Sequence, residues 1–476
     1  MRMVIDADGS LKKHGASTDR GASKRPGLEL WGGLECSVVR VGDDLRDQFR
    51  DTGHDERLAD LEAVARLGIR TLRYPVSWER VAPEDPDSCD WAWHDSRMAE
   101  LRRLEVTPIV GLVHHGSGPA YTDLLDPEFP NKLADFAERV ARRYPWIENW
   151  TPVNEPGTTA RFSGLYGHWF PHRTSEPDFL RMLAIQCRGV LLAMRAVRKV
   201  NPRARLVQTE DIGCIFATRP LQYQADHENS RRWLSLDLLL GRVDQAHPWF
   251  QRFRSAGVSE AVLQDFKTGD LEPMTIGINY YITSERFLDH RLALYPGMDH
   301  GGNGRHRYID TEAVRVPMPP GSTGWLVRLR EVAARYPGRT LAVTEAHIGC
   351  TPDEQVRWLA SCWDAAKTIR AEGVDLRAVT IWSLFGAVDW CSLLTRRADC
   401  YEAGAFDARA GGAPRPTLLA EAARELANDG AIDPQLLATA GWWASEDRIH
   451  PQLHQVLHDT GKASARELVF MSIAAE

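Results

Sequence analysis

The stretch ENWTPVNEPGTTARF (residues 148–162) poses the problem of the fold. Residues 147–153 read as a short apolar strand, which Asn154, Glu155 and Pro156 then stop with an amide, a carboxylate and a proline. Taken alone this is a turn, because Asn and Pro punctuate loops and Glu tolerates exposure. Its neighbours say more. A helical pattern over about 131–143 precedes the strand and a longer one near 177–200 follows it, so the stretch belongs to a strand–helix unit.

The same unit recurs in both directions. Apolar runs stand at LELWGG (28–33), RTLRYP (70–75), VTPIVGLV (106–113), ARLVQTE (204–210), MTIGINYY (274–281), TLAVTE (340–345) and LRAVTIWSLF (376–385). Helical patterns follow them near 56–67, 94–104, 228–240, 324–336, 353–372 and 417–428. With the stretch at 147–153 this makes eight apolar runs, each followed by a helix. Runs that are continuously apolar, not alternating, suit a parallel sheet covered on both faces. Eight such units predict an α/β fold of the (β/α)₈ TIM-barrel class, with loop insertions after strands one, four, five and six and a short C-terminal extension. A doubly wound open sheet advertises a Gly-rich phosphate turn after its first strand, and WGGLECSVVRVG has neither GxGxxG nor Walker spacing. The expected organisation is a flexible lead-in over 1–27, a barrel over 28–428, and an extension over 429–476 that flanks the barrel or links it to a further domain.

Bulk properties narrow the partners. Lys and Arg number 58 against 65 Asp and Glu, a net charge of −7 that disfavours nucleic acid as a main partner. No window approaches the ~18 apolar residues of a membrane span. The eight scattered cysteines lack CxxC pairing and read as reduced thiols, and the N-terminal segment lacks the apolar core of a signal peptide, so a cytoplasmic location is expected. Oligomeric state is not legible. The 16 tryptophans are core material or sugar-stacking rings.

Barrel active sites form at the carboxyl ends of the strands. There the sequence places Arg73 and Tyr74; His114 and His115; Asn154 and Glu155; Asn279, Tyr280 and Tyr281; Thr344, Glu345, Ala346 and His347; and Trp382 and Ser383, with Asp389 and Trp390 just beyond. Any one of these reads more simply as packing or a satisfied structural group. Burying so many polar groups at one end without partners is costly, which favours a site. Glu155 and Glu345, on strands four and seven, would face each other across the barrel mouth. Glycoside hydrolysis needs such a carboxyl pair, retaining at about 5–5.5 Å separation and inverting when the gap is wider. Arg73 and Tyr281 would keep Glu345 ionised, Glu155 would keep a raised pKa and act as the acid, and Asn154 would bond the sugar 2-hydroxyl.

The motifs resemble those of glycoside hydrolase family 1. TPVNEP is similar to its acid/base motif, AVTEAH stands where its nucleophile motif Thr-Glu-Asn-Gly lies, and GIRTLRYPVSWERVAP, GINYY and WSLFGAVDW are similar to three further blocks. The likeness spans about residues 28–428. It implies a retaining exo-acting β-glycosidase of small glycosides that uses no cofactor and no metal, with Glu155 as acid/base and Glu345 as nucleophile. It implies substrate-binding positions at His114, His115, Asn154, Asn279, Tyr281, Trp382, Asp389 and Trp390, with Arg73 and Tyr281 supporting the nucleophile. Four departures stand out. Val39, flanked by Arg40, replaces a sugar-binding glutamine, and His115 replaces a tryptophan. Asp389 replaces a glutamate, and Ala346-His347 replaces Asn-Gly. They imply a sugar other than glucose, an acidic one if Arg40 faces the pocket. Two other classes stay open: a sugar-binding or transglycosylating barrel that serves a partner domain, and a metal site built on His114, His115 and His347, for which HxH and HExxH spacings are lacking.

Overall fold

The computed structural model describes residues 27–409 and 412–453. Most of the expected lead-in and residues 454–476 of the extension lie outside the described residues. Eight parallel strands close into a barrel: β1 (Glu29–Gly33), β2 (Thr71–Pro75), β3 (Thr107–His114), β4 (Asn149–Asn154), β5 (Arg205–Asp211), β6 (Met274–Tyr280), β7 (Thr340–Ala346) and β8 (Leu376–Ile381). They pair in sequence order around the ring, and β1 closes it by pairing with both β8 and β2.

Eight helices cover the strands, numbered with the strand each follows: α1 (Asp60–Arg66), α2 (Ala92–Arg103), α3 (Phe129–Arg143), α4 (Glu176–Val200), α5 (Leu234–Leu239), α6 (Trp325–Arg335), α7 (Pro352–Ala371) and α8 (Leu418–Ala427). Their apolar stripes explain the packing. In α3, Phe129, Leu133, Phe136, Ala137, Val140 and Ala141 recur at helical spacing and are buried. Helix α4 starts where Ser175 accepts from the Asp178 amide, with Glu176 and Asp178 in its first turn and Arg198 and Lys199 in its last, as the helix dipole favours. The single helix expected over 228–240 is two, Gln222–Arg231 and α5, joined through Arg232 and Trp233. Among the described residues no helix is long and apolar enough to cross a membrane.

The insertions shape the barrel mouth. Residues after β1 form a hairpin of Val38–Val41 and Asp44–Asp47, and segments following β5 and β6 combine into a four-stranded sheet. The loop after β8 adds a further hairpin, Ala387–Val388 with Tyr401–Glu402. The described part of the extension packs on the barrel: Trp443 meets Trp358 of α7 at 5.1 Å, and Ile449 and Leu453 join the cluster around Phe287 and Tyr295.

Strand register brings the polar ends to one level. His114 pairs with Asn154, Asn279 with both Asp211 and Glu345, and Gly33 with Arg73. Gly33 also makes room for the site, since a Cβ there would stand 2.5 Å from the Trp382 ring.

Candidate active site

A cavity of about 670 Å³ opens at this end of the barrel. His115, Glu155, Tyr281, Glu345, Trp382 and Trp390 line it. Arg73, His114, Asn154 and Asn279 are buried behind them and hold them in place.

Glu155 is aimed by its turn. Strand β4 ends at Asn154, and Glu155 adopts φ 44° and ψ 62° before Pro156 opens the short helix Pro156–Ala160. A left-handed non-glycine residue costs about 1–2 kcal/mol, so neighbouring bonds must hold it. The carboxylate of Glu210, on β5, accepts from the Gly157 amide at 2.8 Å and the Thr158 amide at 3.2 Å, clamping the helix start. Glu345 follows an irregularity in β7, where the register shifts between Val343 and Glu345 against β6. Bulges of this kind re-aim side chains beside active sites.

The two carboxyls have unequal surroundings. Arg73 donates to Glu345 Oε1 at 2.7 Å, and Tyr281 Oη donates to Oε2 at 2.5 Å. Glu155 receives one side-chain hydrogen bond, from Asn279 Nδ2 to Oε1 at 2.6 Å. Burial, then repulsion from Glu345, pushes Glu155 well above the usual carboxyl range, and the Asn279 bond offsets little of this. Burial also raises Glu345, but Arg73 and Tyr281 pull it back. The expected low pKa of Glu345 is thus corrected: desolvation outweighs its two donors. Arg73 and Tyr281 both oppose the rise at Glu345, whereas Asn279 is the one side chain that donates to Glu155.

The supporting residues are interlocked. Asn154 Oδ1 accepts from Arg73 at 2.6 Å and from Thr209 Oγ1 at 2.7 Å, and its Nδ2 faces His114 Nε2 at 3.2 Å and His115 Nε2 at 3.4 Å. His114 stacks on Trp382 with ring centroids 5.6 Å apart. His115 Nε2 lies 3.8 Å from Glu155 Oε2, and burial holds this imidazole down at about 3, so it is neutral and leaves Glu155 without a cationic partner. The arrangement can present one ionisable nucleophile and one proton donor to a bond held between them.

The family model described as glycosyl hydrolase family 1 matches residues 52–399. The chain belongs to this family.

It is a glycoside hydrolase of the β-glycosidase type, at low identity to its relatives. Beta-glucosidase 47 of Arabidopsis thaliana is 21% identical over 378 residues, covering 72% of this chain and 70% of that protein. A 6-phospho-beta-galactosidase of Streptococcus equi subsp. zooepidemicus is also 21% identical, covering 71% and 81%. Among solved structures, the fold is similar to beta-glucosidase from Thermotoga maritima in complex with deoxynojirimycin, with TM-score 0.66 and 16% identity over 86% of this chain and 99% of that one.

Asp389, which the resemblance assigns to sugar recognition in this family 1 glycosidase, and Arg40, which would favour an acidic sugar if it faced the pocket, both stand off the cavity wall. Asp389 is removed from the cavity by its partners: Arg46 holds Oδ2 at 2.5 Å, and the Ala398 and Cys400 amides hold Oδ1 at 3.1 and 2.9 Å. Against the cost of burial, the Cys400 amide and Arg46 keep this carboxylate below its usual pKa. Arg40 does not line the cavity; its guanidinium lies 4.4 Å over the Phe170 ring. Val39 is buried in an apolar cluster with Trp169 and Leu394. Trp390 lines the cavity, its ring against His115 at 5.5 Å. His347 is engaged by the Trp382 carbonyl at 3.0 Å and Glu402 at 2.9 Å. Among the described residues, no group of three His, Cys, Asp or Glu is set to hold a metal ion.

Sequence reasoning passed over the ends of strands one and five in this glycosidase. Just beyond β1 stands Glu35, and β5 ends in Glu210 and Asp211; Glu35 and Asp211 line the cavity. The rule applied to the other six strands finds them. Trp442, in the extension, also lines the cavity and carried no such signal, because its place depends on how the tail folds back.

Proposed function

We propose that the protein is a retaining, exo-acting β-glycosidase that hydrolyses O-glycosides by double displacement. Glu345 attacks the anomeric carbon while the bond to the leaving oxygen breaks and Glu155 protonates that oxygen. Water, deprotonated by the Glu155 carboxylate, then attacks the same carbon and releases Glu345. The observation that carries this reading is the asymmetry of the pair in one cavity, with Arg73 and Tyr281 on Glu345 and Asn279 alone on Glu155. Trp382 offers a ring to the sugar face, and Asn154 is the candidate for the 2-hydroxyl once its amide turns from the histidines.

The glycone is neutral or basic on this reading. Arg40 does not face the cavity, and carboxylates outnumber arginines on its wall, which disfavours an acidic or phosphorylated sugar. The test is incubation with 2-deoxy-2-fluoro glycosides that bear activated leaving groups, followed by peptide mass analysis. A sugar adduct on Glu345 is expected. No adduct with any sugar, together with undiminished turnover in Glu345→Ala, would refute both the role and the mechanism.

A further inference from the structure

Outside the catalytic pair, six carboxylates line the cavity: Glu35, Asp211, Glu228, Asp310, Glu312 and Glu402. Five of them have a basic partner. Asp211 lies 3.6 Å from Arg161, Glu228 3.1 Å from Arg231, Asp310 2.8 Å from Arg286, Glu312 3.0 Å from Arg315 and Glu402 2.9 Å from His347. Glu35 differs. The nearest basic nitrogen paired with it is His114 Nε2, 4.0 Å from Oε1, and burial holds that imidazole neutral. Arg73, the cation acting on it, is committed to Glu345 and Asn154.

The carboxyl of Glu35 is also half used. Its Oε1 accepts from the Ser37 amide at 3.0 Å and from Ser37 Oγ at 2.5 Å. Its Oε2 has no hydrogen-bonding partner among the described residues and, unlike the enclosed unpartnered atoms of the interior, opens onto the cavity that Glu35 lines. The backbone fixes where it points, because the Glu35 amide donates to Ser383 Oγ at 2.8 Å, next to the Trp382 ring. A largely buried carboxylate with an open oxygen and no counter-charge is costly, and either a proton or a positive donor from a ligand relieves that cost.

We infer that Glu35 is a specificity-determining residue that binds an ammonium group on the sugar, so that the substrate is a β-glycoside of a free amino sugar. Oε2 would accept the N⁺–H hydrogen bond while the sugar face lies on Trp382. The inference rests on the proposed glycosidase function and adds the class of glycone. Burial of Glu35, which raises its carboxyl to about 7, is the cost that an incoming ammonium would relieve.

The experiment compares kcat/KM for aryl β-glucosides in which one ring hydroxyl at a time is replaced by an amine or by its neutral acetamide, measured below the pKa of the amine. One amine position is expected to exceed both its hydroxyl and its acetamide counterpart by about tenfold or more, as a charge-assisted hydrogen bond permits. Glu35→Gln keeps the acceptor for Ser37 and removes the charge, and it is expected to abolish that ratio. A ratio does not depend on the fraction of folded enzyme, and Glu35→Asp offers a second variant, in which the amine preference should weaken yet persist. If no amine is preferred by the native enzyme, or if the preference survives in Glu35→Gln, the inference falls. A plain 2-fluoro glucoside that labels Glu345 while no amine is preferred would overturn the amino-sugar reading and leave the glycosidase standing. Failure of every sugar to label or turn over would overturn both.

Discussion

Replacing Glu35 by Gln should stabilise the protein at high pH and leave its stability nearly unchanged at low pH. Burial moves this carboxyl from an ordinary 4.5 to about 7, against the pull of Ser37 and with Glu345 adding repulsion, Arg73 attraction. The folded state therefore holds a proton that the unfolded chain has released. The stability associated with this group is complete below about 4.5, falls as pH rises, and is lost once pH passes about 7. At about 1.36 kcal/mol per pH unit, the loss amounts to about 3 kcal/mol. Glutamine cannot ionise and so avoids it, while its carbonyl still accepts from the Ser37 amide and hydroxyl. With about 2 cal/mol/K of unfolding entropy per residue, a chain of 476 residues changes by about 1 kcal/mol per degree, so Tm should rise by about 3 °C relative to the native protein. Calorimetry of both proteins at pH 5 and pH 8.5 is the assay, with the unsubstituted chain as reference at each pH. A Tm difference equal at the two pH values, or larger at pH 5, would refute the placement of Glu35 as a buried carboxylate without a counter-charge.

Three further outcomes follow from the same contacts. Tyr281→Phe removes the hydroxyl that donates to Glu345 at 2.5 Å; kcat should drop by about 10- to 100-fold and the acidic limb of the pH–rate profile should move upward, whereas an unmoved limb would show that Tyr281 does not act on Glu345. Asn279→Ala removes the hydrogen bond that lowers Glu155, so the basic limb should shift to higher pH as the rate falls about tenfold or more, and a profile displaced only on its acidic side would contradict this assignment. Arg46→Met strands the buried Asp389 carboxylate, which should cost about 3–5 kcal/mol in urea unfolding; a loss below about 1 kcal/mol, with a sugar-dependent fall in kcat/KM instead, would return Asp389 to the binding site.

The barrel was legible because its signals are local. Continuous apolar strands, amphipathic stripes such as Phe129–Ala141, and caps such as Ser175 lie within one element, where periodicity and chemistry report the face that is buried. The expected strands match within a few residues. The exception, one helix expected over 228–240, breaks at Arg232 and Trp233, where Arg232 donates to the Ile212 carbonyl and pairs with Glu331 of the neighbouring helix α6. Glu155 and Glu345 could also be placed in sequence, since each ends a strand and the barrel rule assigns all strand ends to one mouth.

What lay beyond the sequence is which polar groups are already satisfied. Asp389 reads as a sugar ligand until Arg46, 343 positions away, is seen holding it. Arg40 reads as a pocket cation until Phe170 is found beneath it, and Trp442 reads as tail until the extension folds back to the cavity wall. Glu35 is the converse, a strand-end residue whose importance comes from a basic partner it lacks. Sequence by itself determined the barrel, the mouth and the carboxyl pair, because these follow from patterns repeated along the chain. Tertiary structure alone decided the counter-charges: a carboxylate's burial and pairing depend on groups brought together by closure of the ring, and those contacts set its pKa and its freedom to meet a substrate.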